Sequence, residues 1–252
     1  MKKLLVFNTV AVDSLCFQAG TTIHAGQTFE LYRDYIDRND DDVTKQEEAQ
    51  ILKWILSSSA RDLFFHELGL TPNPFAALSV RHPVIEPGHF KPGDIDILIC
   101  DQDRADQAIG IQCKRVKVRA LSDEVDYCNK IPDITGGIKQ VNLQRKHLGF
   151  HRNYLIIVIE TYGRSRSSNN VLFRGPSQES FKEIYDFPRR ESLHPDVGIV
   201  FVKVTQPTGK SFHQMADIGI CVDQDAARLE QTVQLTNRIA DYMRLVKEIV
   251  PY

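Results

Sequence analysis

Apolar and polar positions change their period several times along the chain, and each change marks an element. Leu4 to Val12 reads as a strand, and Phe29 to Ile36 as a short helix. An acidic run from Asp37 to Asp42 follows, then Thr44 with Glu47 three residues on, the spacing of a capping box. Ile51, Leu52, Trp54, Ile55, Leu63, Phe64, Phe65 and Leu68 then recur at helical spacing. They predict one broken helix, or two, over 44–69, with Gly69 as the stop. Beyond it the period falls to two. Ala77–Val84, Asp94–Cys100 (D-I-D-I-L-I-C) and Ala108–Val118 (A-I-G-I-Q-C-K-R-V-K-V) read as strands. Pro87-Gly88, Pro92-Gly93 and Asp101-Gln102-Asp103 supply turns between them. Ile134–Leu148 returns to a helix, with Ile138, Val141, Leu143 and Leu148 as its apolar positions. Tyr154–Ile159 and Val197–Val204 are continuous apolar runs of the kind found in strands buried on both faces, with a helix between them. Gly163–Asn170 is a basic loop, and Asp223–Ile249 a long terminal helix. From 44 to 204 the order is helix, strand, strand, strand, helix, strand, helix, strand. Hairpins followed by a crossover helix predict an α/β fold, a mixed sheet with helices on both faces.

Composition narrows the class. The 252 residues suit one large domain or two small ones. We divide them into an extension over 1–43, a core over 44–160 and a C-terminal extension over 161–252, which packs on the core and serves recognition or dimerisation. Lys and Arg number 31 against 33 Asp and Glu, so the chain as a whole is no polycation, and any contact with nucleic acid must come from a local arrangement. The five cysteines, at 16, 100, 113, 128 and 221, include no C-x-x-C pair. That argues against a disulfide scaffold and a zinc ribbon. The N-terminus opens like a signal peptide, but Asn8 and Asp13 break its apolar run. No stretch approaches the roughly 20 apolar residues of a membrane span. A soluble, cytoplasmic protein with no membrane partner is the expectation.

The candidate chemistry lies in the strands at 94–100 and 108–118. Strand side chains alternate, so Asp94 and Asp96 share one face while Ile95, Ile97 and Ile99 share the other. In the next strand Gln112 and Lys114 lie opposite Ile111 and Cys113. If each apolar set faces a helical layer, Asp96, Gln112 and Lys114 converge, with Asp94 nearby. Carboxylate, amide and main-chain oxygens suit a hard cation. A lysine beside them suits an anionic substrate or an activated water. Together these are the parts of metal-assisted phosphodiester hydrolysis. The plainer reading is a solvated hairpin with ordinary cross-strand pairs, and Asp94 either lines the site or simply opens its strand after Pro92-Gly93.

At these residues the chain resembles the PD-(D/E)xK, or restriction-endonuclease-like, nuclease superfamily. P-G-D-I-D-I-L followed by I-Q-C-K-R is similar to the Q-x-K variant found in Mrr-like restriction endonucleases. The resemblance implies a core of helix, three strands, helix and strand, with a further strand and a long helix behind it. It implies a magnesium- or manganese-dependent endonuclease acting on DNA, RNA not being excluded. Asp96 and Gln112 would hold the metal with the Cys113 carbonyl, helped by Glu48 or Asp94, and Lys114 would orient the attacking water. Glu47 and Glu67 are further candidates for the acid that the family often takes from its first helix. Lys139 or Gln140 would be the polar residue on the helix after the Q-x-K strand. A homodimer, a restriction or anti-phage defence role and a partner subunit of a defence system follow from the same resemblance. The departure is Gln112 in place of an acid, which removes one negative charge. It favours a rival from another class: a nucleic-acid-binding or assembly module that keeps the nuclease fold without cleaving.

Other signals carry less. Lys117 and Arg119 are expected to continue the polar face of Lys114. Lys139, Gln140, Arg164 and Arg166 are candidate phosphate contacts beside them, with Arg145, Lys146, Arg152 and Arg174 in the same basic stretches. Each is equally a solvated surface residue. His147 and His151 stand at i, i+4 with no third ligand evident. His66-Glu67 lacks the second histidine of a zincin, and Gly209-Lys210-Ser211 lacks the earlier glycine of a P-loop.

Overall fold

The computed structural model describes residues 8–13, 52, 55–56, 60–71, 73–81, 84–85, 94–121, 127–129, 131–164, 178–205 and 215–249. Their elements run β1 (Asn8–Asp13), α1 (Ala60–Glu67), β2 (Phe75–Val80), β3 (Ile95–Cys100), β4 (Ile109–Leu121), β5 (Tyr127–Asn129), α2 (Asp133–His147), β6 (Arg152–Arg164), α3 (Gln178–Arg190), β7 (Gly198–Thr205), β8 (Met215–Gln224) and α4 (Val233–Ile249). The expected helix over 29–36 lies outside the described residues.

One sheet of eight strands organises the chain, in the order β1-β8-β7-β6-β4-β3-β2, with β5 paired to β4 off that path. β4, β6 and β7 are parallel, and the remaining pairs are antiparallel. From α1 to β6 the main elements follow as helix, three strands, helix, strand, the α/β order expected from the sequence. The crossover α2 joins β4 to β6, which pair in register from Ile109↔Arg152 to Leu121↔Arg164.

Alternation sorts the core into two faces. Ile97, Ile99, Ile111, Cys113, Ile156, Val158, Val200 and Val202 pack against Phe64, Phe65 and Leu68 around α1, together with Leu52 and Ile55. Val116, Val118, Leu155, Ile157, Ile159 and Phe201 point the other way, onto Ile134, Ile138 and Val141 of α2 and Ile184 of α3. On that same side Leu98 and Cys100 of β3 pack with Leu148, just after α2, and with Leu235, Ile239 and Met243 of α4.

Several boundaries move. β2 ends at Val80, not Val84, and Pro83 just beyond has no N–H to give a ladder. β6 runs on to Arg164, into the stretch read as loop. The terminal helix begins at Val233, not Asp223, because Asp223 and Gln224 close an unforeseen strand, β8. β1 pairs with β8, so residues 8–13 belong to the same sheet as the core.

Candidate metal and nucleic-acid site at the open end of β3 and β4

The site forms where β3 loses its regular neighbours. Pairing with β4 runs from Ile99↔Ile109 only as far as Ile97↔Ile111. Pairing with β2 skips the position between Leu78↔Ile97 and Val80↔Ile95, where Ser79 has φ 51°. A non-glycine residue in that left-handed region is strained, and such positions cluster at functional sites. Asp96 sits at this gap on both sides.

Side chains take over where the ladder stops. The Cys113 N–H donates to Asp96 Oδ2 at 2.7 Å. Gln112 Nε2 donates to the Asp94 carbonyl at 2.7 Å, and Gln144 Nε2, from α2, donates to the same oxygen at 3.3 Å. Gln112 and Gln144 are both fully buried. A strand residue sends its N–H and C=O to the same edge, so the Cys113 carbonyl faces the same gap as Asp96. The Asp94 carboxylate turns instead to Arg81, 3.4 Å away. Asp94 thus enters the cluster through its main chain.

Lys114 lies on the same face as Gln112, with its stem across Gly137 of α2. A Cβ on Gly137 would come within 2.5 Å of Lys114 Cγ and 3.2 Å of its Cε. Only a residue without a side chain leaves that passage open. Lys114 thereby reaches an open groove of about 510 Å³, shared with Pro132, Asp133, Thr135, Gly136 and Lys139 at the start of α2.

The remaining candidates separate. Gln140 is half-buried and Lys139 exposed, and neither makes the contact to β3 that Gln144 makes. Sequence reasoning missed Gln144, although a signal was present. It continues the buried stripe Ile134, Gly137, Ile138, Val141 of α2, where an apolar residue is the norm. Glu67 sits on α1, which packs against the opposite face of the sheet. Glu47, Glu48 and Arg166 lie outside the described residues. Arg119 and Arg164 stand in the ladder at Arg119↔Tyr162 and Leu121↔Arg164. Arg145 is tied to Asp196, and Arg152 donates to the Leu68 carbonyl at 2.7 Å. His151 pairs with the Leu229 carbonyl at 2.8 Å and His147 is exposed, so the two do not form a ligand pair.

Lys117 departs from expectation. From Lys114 to Lys117 is an odd number of steps, so Lys117 points to the other face, as does the backbone position of Arg119. It is 3% exposed, beside Arg115 and Glu160. Arg115 Nη1 lies 3.6 Å from Glu160 Oε2. Neither Glu160 oxygen accepts a hydrogen bond. Burial pushes the Glu160 carboxyl above the ordinary glutamate value, against the opposing pull of Arg115 and Lys117.

The donors at the gap are thus one carboxylate, two amide groups and main-chain oxygens. Among the described residues, no three His, Cys, Asp or Glu side chains gather to hold a metal. No helix of the described residues is long and apolar enough to cross a membrane. No protein-family model and no curated protein matches the chain. Among solved structures there is a faint likeness to one described as "The structure of Pyrococcus Furiosus SfsA in complex with Ca2+". The identity is 10% and the TM-score 0.22, over 60% of this chain and 55% of that one. The match therefore spans little more than half of that protein, and at this TM-score it carries no weight for function.

Proposed function

We propose that this chain is a metal-dependent nuclease that hydrolyses phosphodiester bonds in nucleic acid, a DNA endonuclease of restriction or defence type. The observation that supports the reading is that Asp96 takes the N–H of Cys113 where β3 and β4 part, between Gln112, which holds the Asp94 carbonyl, and Lys114, which lines an open groove. Asp96, Gln112 and the Cys113 carbonyl would hold Mg²⁺ or Mn²⁺. The buried, unpartnered Gln112 Oε1 fits that role, being an oxygen donor with nothing to receive it. A metal held there would supply polarisation of the phosphate and a water of lowered pKa. Lys114 would orient the attacking water and stabilise charge growing on the phosphate oxygens. Cutting both strands of a duplex calls for two such sites, hence two copies of the chain.

The rival reading, a binding module that no longer cleaves, rests on the neutral amide of Gln112. One assay separates them. Purified protein is incubated with supercoiled plasmid, linear duplex and single strands in Mg²⁺, Mn²⁺ or EDTA, beside Lys114→Ala. Nicking that needs metal and Lys114 supports the nuclease. DNA binding with no cleavage in any metal supports the module.

Two further outcomes are expected. Gly137→Ala should leave stability within about 1 kcal/mol, since better helix propensity offsets the crowding. Cleavage should nevertheless fall on the order of 10²-fold, because the Lys114 ammonium is displaced. Thermal melts beside nicking rates check both halves. For substrate contact, Lys139 and Lys146 are exposed on α2, and after Asp133 that helix has no acid. Neither has an ion-pair partner among the described residues. Replacing either by Ala should reduce the slope of log K against log salt for duplex binding by about 0.9. Anisotropy titrations in EDTA measure that slope, and an unchanged slope removes α2 from the phosphate path.

A further inference from the structure

Among the described residues, two buried oxygens at the open end of β3 and β4 have no hydrogen-bond partner: Gln112 Oε1 and Gln144 Oε1. The orientation of both amides is fixed by one acceptor. The Asp94 carbonyl can only accept, and both amides present their NH₂ to it, at 2.7 and 3.3 Å. Turning either amide over would set oxygen against oxygen. The two Oε1 atoms therefore face away from Asp94 and find nothing. A buried carbonyl left without a hydrogen bond is costly. Their two NH₂ groups converge on one carbonyl, two residues before Asp96. At residue 144 the helix stripe is otherwise apolar, so a leucine there would have avoided the cost.

We propose that Gln144 supplies, together with Gln112, a neutral oxygen ligand to a divalent cation bound beside Asp96. This rests on the metal-dependent reading above and adds to it a donor from α2. Hard cations accept amide oxygens alongside carboxylates, and the charge on the ligand set governs their affinity. Where no three acids, cysteines or histidines gather among the described residues, a second amide raises the number of donors without adding charge. Such a site binds weakly.

The test is Mn²⁺ uptake by the full chain without nucleic acid, followed by electron paramagnetic resonance of free Mn²⁺. Melting in EDTA serves as the folding control. Gln144→Leu is expected to weaken uptake by about 10-fold or more. Gln144→Glu is expected to tighten it, because an anionic ligand replaces a neutral one. A residue that only braced the Asp94 carbonyl would behave differently. Gln144→Glu would then set a carboxylate against that carbonyl, lower the melting temperature and leave uptake no tighter. Should Gln144→Leu fail to fold, Gln144→Asn replaces it, keeping the amide one methylene short of its position. Wild-type uptake that Gln144→Leu or Gln144→Asn leaves unchanged, and Gln144→Glu does not tighten, overturns this proposal while the metal-dependent reading stands. A wild-type chain that takes up no Mn²⁺ overturns both.

Discussion

Alanine at Lys114 should slow metal-dependent nicking of supercoiled plasmid by about 10²-fold or more, with little change in melting temperature. The stem of Lys114 crosses the bare backbone of Gly137, and its end reaches solvent in the groove at the start of α2. Truncation therefore removes a charge and a strip of contact at the rim of the core but leaves no sealed cavity behind. The loss should appear in turnover, since in the proposed reaction the ammonium would act on charge that develops in the transition state. Glutamate at Gln112 should act in the opposite direction at low Mg²⁺. It restores an anionic ligand beside Asp96 and shifts the metal dependence of nicking to lower concentration. It also gives up the bond from Gln112 Nε2 to the Asp94 carbonyl, so some stability should be lost at neutral pH. Rates measured across a Mg²⁺ series for both variants decide the matter. Equal rates for wild type and Lys114→Ala would place the reaction elsewhere.

Glutamine at Glu160 should leave the protein at least as stable as the wild type at neutral pH. Removing one partner of a buried ion pair would ordinarily cost about 3–5 kcal/mol. Here the pair is incomplete, because Arg115 stands 3.6 Å away and neither carboxylate oxygen accepts a hydrogen bond. Burial therefore dominates and raises the carboxyl pKa above its ordinary 4.5. The sign follows from proton counting. Between 4.5 and its raised value the folded chain holds a proton that the unfolded chain has released. The stability tied to this group is thus present below 4.5 and declines as pH rises through the folded pKa. Glutamine mimics the protonated acid at every pH. Urea unfolding at a series of pH values should show the two proteins alike near 4.5, with the variant gaining relative to the wild type above it. A variant several kcal/mol weaker at pH 7 would mean that the Arg115–Glu160 pair is complete in solution.

The β3–β4 opening was legible because alternation is simple to follow in D-I-D-I-L-I-C and I-Q-C-K. Period two predicts Asp96, Gln112 and Lys114 on one face before any partner is known, although Ile95, expected beside Ile97 and Ile99, packs instead with Leu98 and Cys100 beyond the irregularity at Ser79. The same rule, applied without counting parity, put Lys117 and Arg119 beside Lys114, although an odd step carries them through the sheet. β8 was hidden for another reason. In M-A-D-I-G-I-C-V-D-Q the residues Asp217, Gly219 and Asp223 disfavour a strand on propensity, and only pairing with β1 and β7 makes it one. Gln144, unlike Gln140, falls on the stripe of Ile134, Ile138 and Val141, so its burial was legible and was missed. That this stripe brings it to the Asp94 carbonyl is a tertiary fact.

The place of β1 in the sheet bears on how the chain assembles during synthesis. Among the described strands β1 pairs only with β8, more than two hundred residues later, from Asn8↔Ile220 to Asp13↔Met215. Among the described strands it leaves the ribosome first and finds its partner last. Until then the outer rim of β8 is an open row of amides and carbonyls, a template for another copy of the chain. So late a closure, over so long a span, is slow, because loop entropy is spent before the contact returns it. A chain shortened past residue 13 would keep the β3–β4 opening in its sequence yet never close that rim. Its weakness would then be clumping during expression, with Asp96, Gln112 and Lys114 themselves untouched.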